Sequence, residues 1–292
     1  MVNVTPTDPP QLIECPRDAM QGLQQFVPTK LKIRYLNALL RVGYHSLDFG
    51  SFVSPKAVPQ MADTAEVLAG LDLSETQTRL LAIVLNERGA SEALTHDAVY
   101  YLGFPFSLSE TFQQRNARQS LIEAWEVLLR MRDLVLAKPG HELLTYLSMG
   151  FGNPYGDAWS KELALEWAGR MHEAGIRIIA LADTVGTAQG PTIGETFRHL
   201  SAHLPEVTFG GHFHATPTGW HSKVDAAWQA GCRRFDGALL GFGGCPFAQD
   251  ELVGNIATEN LLGYFSSQNA APQLNTEALG EAQAIAREIF LH

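Results

Sequence analysis

Eight times along this chain, a short apolar run gives way to a stretch whose apolar residues recur at helical spacing. No other feature constrains the fold as tightly. Strands joined by helical crossovers must run parallel, and a parallel sheet needs both of its faces covered. The apolar runs fall at 11–15, 45–52, 79–85, 98–104, 141–149, 177–182, 207–214 and 234–240. Helical patterns occupy 29–42, 64–71, 87–94, a long region at 108–136, then 162–174, 193–204 and 223–230, with 258–265 and 276–289 closing the chain. Gly175 directly follows the 162–174 pattern, where glycine commonly stops a helix. Phe104-Pro105-Phe106 reads as core and turn. Eight such units within 292 residues predict an α/β fold of one domain over 1–292, a closed (β/α)8 TIM barrel with an extra C-terminal helix. The open doubly wound alternative is disfavoured, because no G-x-G-x-x-G follows the first strand.

Charge and cysteine usage narrow the partners. A net charge of -10 argues against nucleic acid, which requires a basic footprint, although a few local arginines still suit a small anion. Three scattered cysteines (Cys15, Cys232 and Cys245) form no CxxC pair and suggest a reducing compartment. The N-terminal residues carry no charged-then-apolar leader, and no apolar run approaches the roughly 18 residues of a membrane span. A cytoplasmic protein without membrane contact is expected.

Barrel active sites lie at the C-terminal ends of the strands, so those ends are where chemistry should collect. The first offers Cys15-Pro16-Arg17-Asp18 and the second Asp48-Phe49-Gly50-Ser51. The fifth offers Asn153-Pro154-Tyr155 and the sixth Asp183-Thr184. Gly211-His212-Phe213-His214 ends the seventh, and alternation along a strand puts His212 and His214 on one face. The eighth runs into Gly241-Phe242-Gly243-Gly244-Cys245-Pro246, with Asn255 beyond. One aspartate after a strand is usually a cap or turn residue; coincidence at six ends is much rarer. Asp18, His212, His214 and Asn255 together offer a metal-ligand set of carboxylate, imidazole and amide oxygen. Mg or Mn suits it best, and Zn or Co can also occupy it. Arg17 sits where a guanidinium can steady an oxyanion, and Cys245, in a Gly-rich loop, can serve as acid or nucleophile. The histidines at 45, 96, 141, 172, 199, 203 and 221 read as surface, capping or packing residues.

These residues, together with SFVSPKAVPQMADTAEVL at 51–68, the Asp183-Thr184-Val185-Gly186 stretch, GGCPFAQ at 243–249 and GNIATEN at 254–260, resemble the 3-hydroxy-3-methylglutaryl-CoA lyases of the DRE-TIM metallolyase group. The resemblance spans residues 12 to about 265. It implies a divalent-metal-dependent retro-Claisen cleavage of an acyl-CoA substrate to acetyl-CoA and acetoacetate. His212 would be the base, Arg17 would steady the thioester enolate, and Cys245 would help return a proton to carbon. Asp48 falls where the family carries a glutamate, and Asp183 matches an aspartate near the reacting groups.

Departures from the pattern are specific. Ala215 follows the histidine pair where the family usually has aspartate, Ala19 replaces a glycine, and Asn153 replaces a cysteine. The interval from Cys245 to Asn255 is one residue longer than usual. They point to a divergent branch and bear on the substrate more than on the reaction type. The alternatives are a related lyase or aldolase for another 3-hydroxyacyl-CoA or a hydroxy-oxo acid, and a barrel that binds without catalysing. A homodimer or higher homo-oligomer is also expected.

Overall fold

A computed structural model describes residues 9–244 and 253–291. Its parallel strands are β1 (Gln11–Glu14), β2 (Ser46–Ser51), β3 (Arg79–Ile83), β4 (Val99–Ser107), β5 (Glu142–Ser148), β6 (Ile178–Asp183), β7 (Thr208–Ala215) and β8 (Arg234–Gly237). Each pairs with the next, and β8 returns to β1, so the sheet closes. Helices α1 (Pro16–Gln21) and α2 (Thr29–Leu40) follow β1, α3 (Thr64–Ala69) follows β2, and α4 (Glu87–Ala93) follows β3. Then come α5 (Glu110–Ala117) and α6 (Leu121–Leu136) after β4, α7 (Lys161–Glu173) after β5, α8 (Gly190–His203) after β6, and α9 (Trp220–Gln229) after β7. A two-residue strand β9 (Gly254–Asn255) and helices α10 (Thr258–Ser267) and α11 (Thr276–Phe290) complete the (β/α)8 barrel.

Alternation along each strand sorts side chains between two cores. On β8, Phe235 faces outward against Trp228 and Phe265 of the helical layer, while Asp236 points into the barrel toward His212. Leu81, Ile83, Tyr101, Leu144, Tyr146, Ile178 and Ala180 fill the interior. The larger core lies between strands and helices, where Phe106 wedges against Trp125 and Trp167. The packed interior keeps the barrel from being a pore and confines the polar groups to its ends.

Three expectations are corrected. The helical region at 108–136 is two helices: Arg118 takes φ 57, ending α5, and Ser120 opens α6 with a reciprocal capping box to Glu123. The fourth strand does not turn at Pro105 but continues to Ser107, in register with β5 through Pro105↔Tyr146. The eighth strand ends at Gly237 rather than at 240, because the buried Glu14 carboxylate accepts the Leu239 N–H at 2.7 Å and pulls the chain into a 3-10 turn. His45 packs as expected, stacked on Tyr101, where burial pushes its pKa down to about 4. No described helix is long and apolar enough to cross a membrane.

Candidate metal centre and active site

Local sequence explains how the first functional pair is presented. Pro16 occupies the first turn of α1, where its missing N–H costs nothing and its fixed φ starts the helix. That short helix carries Arg17 and Asp18 over the C-terminal mouth of the barrel, both buried. Across the mouth, β7 presents His212 and His214. Antiparallel pairing of β9 then sets Asn255 directly opposite His214. One carboxylate oxygen of Asp18 and one nitrogen each of His212 and His214 lie within 4.8 Å of one another.

The hydrogen bonds around these groups fix which atoms they offer. His214 Nδ1 lies 2.8 Å from the Thr184 carbonyl and must donate to it, leaving the lone pair on Nε2. Nε2 is buried and makes no hydrogen bond among the described residues, and Asp18 Oδ2 lies 3.9 Å away. A bare basic nitrogen in a dry site is costly without a ligand. His212 Nδ1 lies 3.0 Å from Asp236 Oδ2, the carboxylate–histidine arrangement that sets tautomer and ring orientation in metal sites. Asn255 Nδ2 donates to Asp18 Oδ2 at 2.7 Å and to the Phe242 carbonyl at 2.9 Å, so its amide oxygen is the atom left for a cation. Gly243, at φ +91, is required here: a Cβ would come within 2.7 Å of Asn255 Nδ2 and of the Asp18 carbonyl. The donor set therefore fits a divalent cation held by Asp18, His212, His214 and Asn255.

Arg17 binds Asp48 through Nε at 3.1 Å and NH2 at 2.6 Å, while NH1 reaches Gln21 at 2.8 Å and Asp18 at 3.2 Å. Burial works against the guanidinium charge, but Asp48 and Asp18 outweigh it and hold Arg17 protonated. For Asp48 burial dominates over Arg17 and lifts the carboxyl to about 6. Asp18 moves the other way: burial opposes ionisation, yet Arg17, the two imidazoles and the Asn255 bond hold it below the usual range. Burial also depresses His212, but the Asp236 bond and charge raise it overall. His214, with burial and then His212 against it, is lowered and kept neutral.

The structure thus brings Arg17, Asp18, Asp48, His212, His214 and Asn255 together. Cys245 lies outside the described residues. Asp183 is nearby but engaged: Oδ1 accepts the Ala188 N–H at 3.1 Å and Oδ2 accepts Lys223 Nζ at 2.5 Å. Lys223 also donates to the carbonyls of Gly186 and His214, at 2.7 and 2.8 Å. The pair ties the loop after β6 to the end of β7.

Sequence reasoning missed several residues. Lys223 was read only as the start of a helix, and Asp236 lay inside an apolar run. Asp236 supplies a carboxylate to His212. Tyr146 was also missed: its ring meets His212 edge-on at 5.5 Å, and its buried hydroxyl has no partner among the described residues. Alternation on β5 and β8 was the one available signal, since it places both side chains inside the barrel. Asn153, substituted for a cysteine, builds a turn by accepting the N–H groups of Tyr155 and Asp157 at 3.0 and 3.1 Å.

Comparison with known proteins agrees with this geometry. The HMGL-like family model matches residues 11–285. A hydroxymethylglutaryl-CoA lyase of Bacillus subtilis is 31% identical, covering 90% of this chain and 87% of its own. An (R)-citramalyl-CoA lyase of Chloroflexus aurantiacus is also 31% identical, covering 90% and 85%. A solved HMG-CoA lyase from Acinetobacter baumannii, in complex with coenzyme A and 3-methylmalate, superposes with TM-score 0.89 at 29% identity over 99% of this chain and 93% of that one. On the barrel, the ligand cluster and these relatives together, the chain belongs to the HMGL-like family and is a carbon–carbon lyase.

Proposed function

We propose that this protein cleaves 3-hydroxy-3-methylglutaryl-CoA to acetyl-CoA and acetoacetate by divalent-metal-dependent retro-Claisen chemistry. The observation that carries the reading is the bare, buried His214 Nε2 grouped with Asp18 and His212 beside a charged Arg17. A divalent cation, Mg or Mn by its hard ligands, would supply Lewis acidity at the substrate hydroxyl and carbonyl oxygens. His212 has one open nitrogen, since Nδ1 is committed to Asp236. That nitrogen serves as ligand or takes the hydroxyl proton, one role at a time, and Asp236 stabilises the imidazolium in the second case. Arg17 sits where its guanidinium steadies the enolate oxygen left by bond cleavage, and its bonds to Asp48 hold it rigid for that task. Asp183 acts through Lys223 and the β6 loop as a positioning residue. Cys245 returns the proton to carbon on this reading.

A second reading has a specific basis: the citramalyl-CoA lyase relative is as similar as the hydroxymethylglutaryl-CoA lyase one. Another 3-hydroxyacyl-CoA would use the same machinery. Both readings place the protein in the cytoplasm as a homo-oligomer, and the buried free thiols of Cys15 and Cys232 suit a reducing compartment. Metal-stripped protein should release acetyl-CoA from 3-hydroxy-3-methylglutaryl-CoA only when Mg or Mn is restored, and Cys245→Ala should abolish release. Cation-dependent cleavage of citramalyl-CoA alone would replace the substrate. No cleavage of either ester despite stoichiometric cation binding would refute the lyase reading.

A further inference from the structure

His212 has two nitrogens and two sets of neighbours. Besides the Asp18 and His214 set, the Cys15 thiol, an imidazole nitrogen of His212 and an Asp236 carboxylate oxygen lie within 4.8 Å of one another. Barrel closure makes this juxtaposition. β1 pairs with β8 in the register Ile13↔Asp236, and the Cys15 N–H donates to the Gly237 carbonyl at 2.8 Å. Cys15 and Asp236 are 1% and 2% exposed.

Two features of the site point to a ligand. Asp236 uses Oδ2 on His212, while its Oδ1 is buried with no hydrogen-bond partner among the described residues. An unpaired carboxylate oxygen in a dry interior is costly unless something positive meets it. Among the described residues, Cys15 Sγ has one weak hydrogen bond, to the Ile13 carbonyl at 3.9 Å, and losing it sacrifices little.

We propose that Cys15, His212 and Asp236 form a second cation site, selective for thiophilic divalent ions such as Zn2+ and Co2+, whose occupation excludes the catalytic cation. Thiolate, imidazole and carboxylate are the three side-chain ligands of Zn2+, at about 2.0–2.3 Å from the ion. The three atoms already lie within 4.8 Å of one another, close enough to share one ion. Mg2+ and Mn2+ favour oxygen donors and stay with the Asp18 set. On binding, the thiol proton leaves to solvent and the Nδ1 proton of His212 moves to Nε2. A neutral imidazole has one lone pair, so a His212 turned to the thiol is lost to the other site. A soft cation is thus a competitor of the catalytic one, without touching substrate.

The test is cobalt and zinc binding to chelator-stripped full-length protein, with no substrate present, so its outcome is independent of the lyase assay. Co2+ should give a near-ultraviolet thiolate-to-cobalt charge-transfer band in wild type and in Cys245→Ser, and no band in Cys15→Ser or Cys15→Ala. Against a chromophoric chelator, Zn2+ affinity should fall about tenfold or more in both Cys15 variants, with Mn2+ affinity unchanged. Two independent replacements, each checked by circular dichroism, guard against a folding defect in one. A wild type without the band, a band that survives both Cys15 variants, or an unchanged Zn2+ affinity would overturn the proposal.

Discussion

Replacing Lys223 by methionine should cost this protein roughly 3–5 kcal/mol, the usual penalty for breaking a buried ion pair from one side. The structure explains why the upper part of that range applies. Lys223 and Asp183 are 5% and 3% exposed, and their charged atoms lie 2.5 Å apart. The same change removes the donor to the Gly186 and His214 carbonyls. A chain of 292 residues gains about 0.6 kcal/mol per degree of entropy on unfolding, so the melting midpoint should drop by about 5–8 °C. Asp183→Asn keeps an acceptor for Ala188 but removes the charge. The double variant should therefore recover about 1–3 kcal/mol of the loss, and the remainder belongs to the two carbonyls. Urea unfolding of wild type, both singles and the double completes the cycle. A Lys223→Met cost below about 1 kcal/mol, or additivity within about 0.5 kcal/mol, would refute the pair as a buried electrostatic anchor.

Other outcomes follow from the same geometry. Asp236→Asn should weaken Mn2+ binding by about 10–100-fold by calorimetry, because the ring of His212 loses the partner that sets its tautomer; unchanged affinity would show that the 3.0 Å contact orients nothing. Arg17→Lys should lower turnover by about 10²–10³-fold with a smaller effect on KM, since an ammonium cannot reproduce the forked contact to Asp48 while facing an oxyanion. A raised KM with turnover unchanged would place Arg17 in ground-state binding. Burial raises Glu14 from 4.5 to about 8, so the native state holds a proton there that the unfolded chain releases. Its stabilising contribution is complete below about pH 4.5 and is lost as pH rises through 8, by at most about 5 kcal/mol. Glu14→Gln should leave urea stability nearly unchanged at pH 5 and raise it relative to wild type at pH 8.5; an unaltered pH slope would refute this.

Periodicity fixed eight strand–helix units and a parallel sheet, because strand and helix patterns repeat locally, while closure of that sheet is seen in the pairing of β8 with β1. The mouth residues Arg17, Asp18, His212 and His214 were legible for the same reason: the histidines end β7 and the Arg-Asp pair opens the helix after β1, and the fold places both at the same mouth. What the tertiary structure decided is which atoms those side chains offer. Asp236 looks like part of an apolar strand until barrel closure sets it beside His212 and Cys15. Lys223 looks like a helix surface residue until α9 packs behind β7 and buries its ammonium on Asp183. The backward turn at Glu14 and the crossing of Asn255 onto β7 depend on hydrogen bonds between residues more than 200 positions apart in one case and about 40 in the other. Local pattern encodes the direction a side chain faces, whereas partners, tautomers and charge states arise only when distant segments exclude water from the same few ångströms.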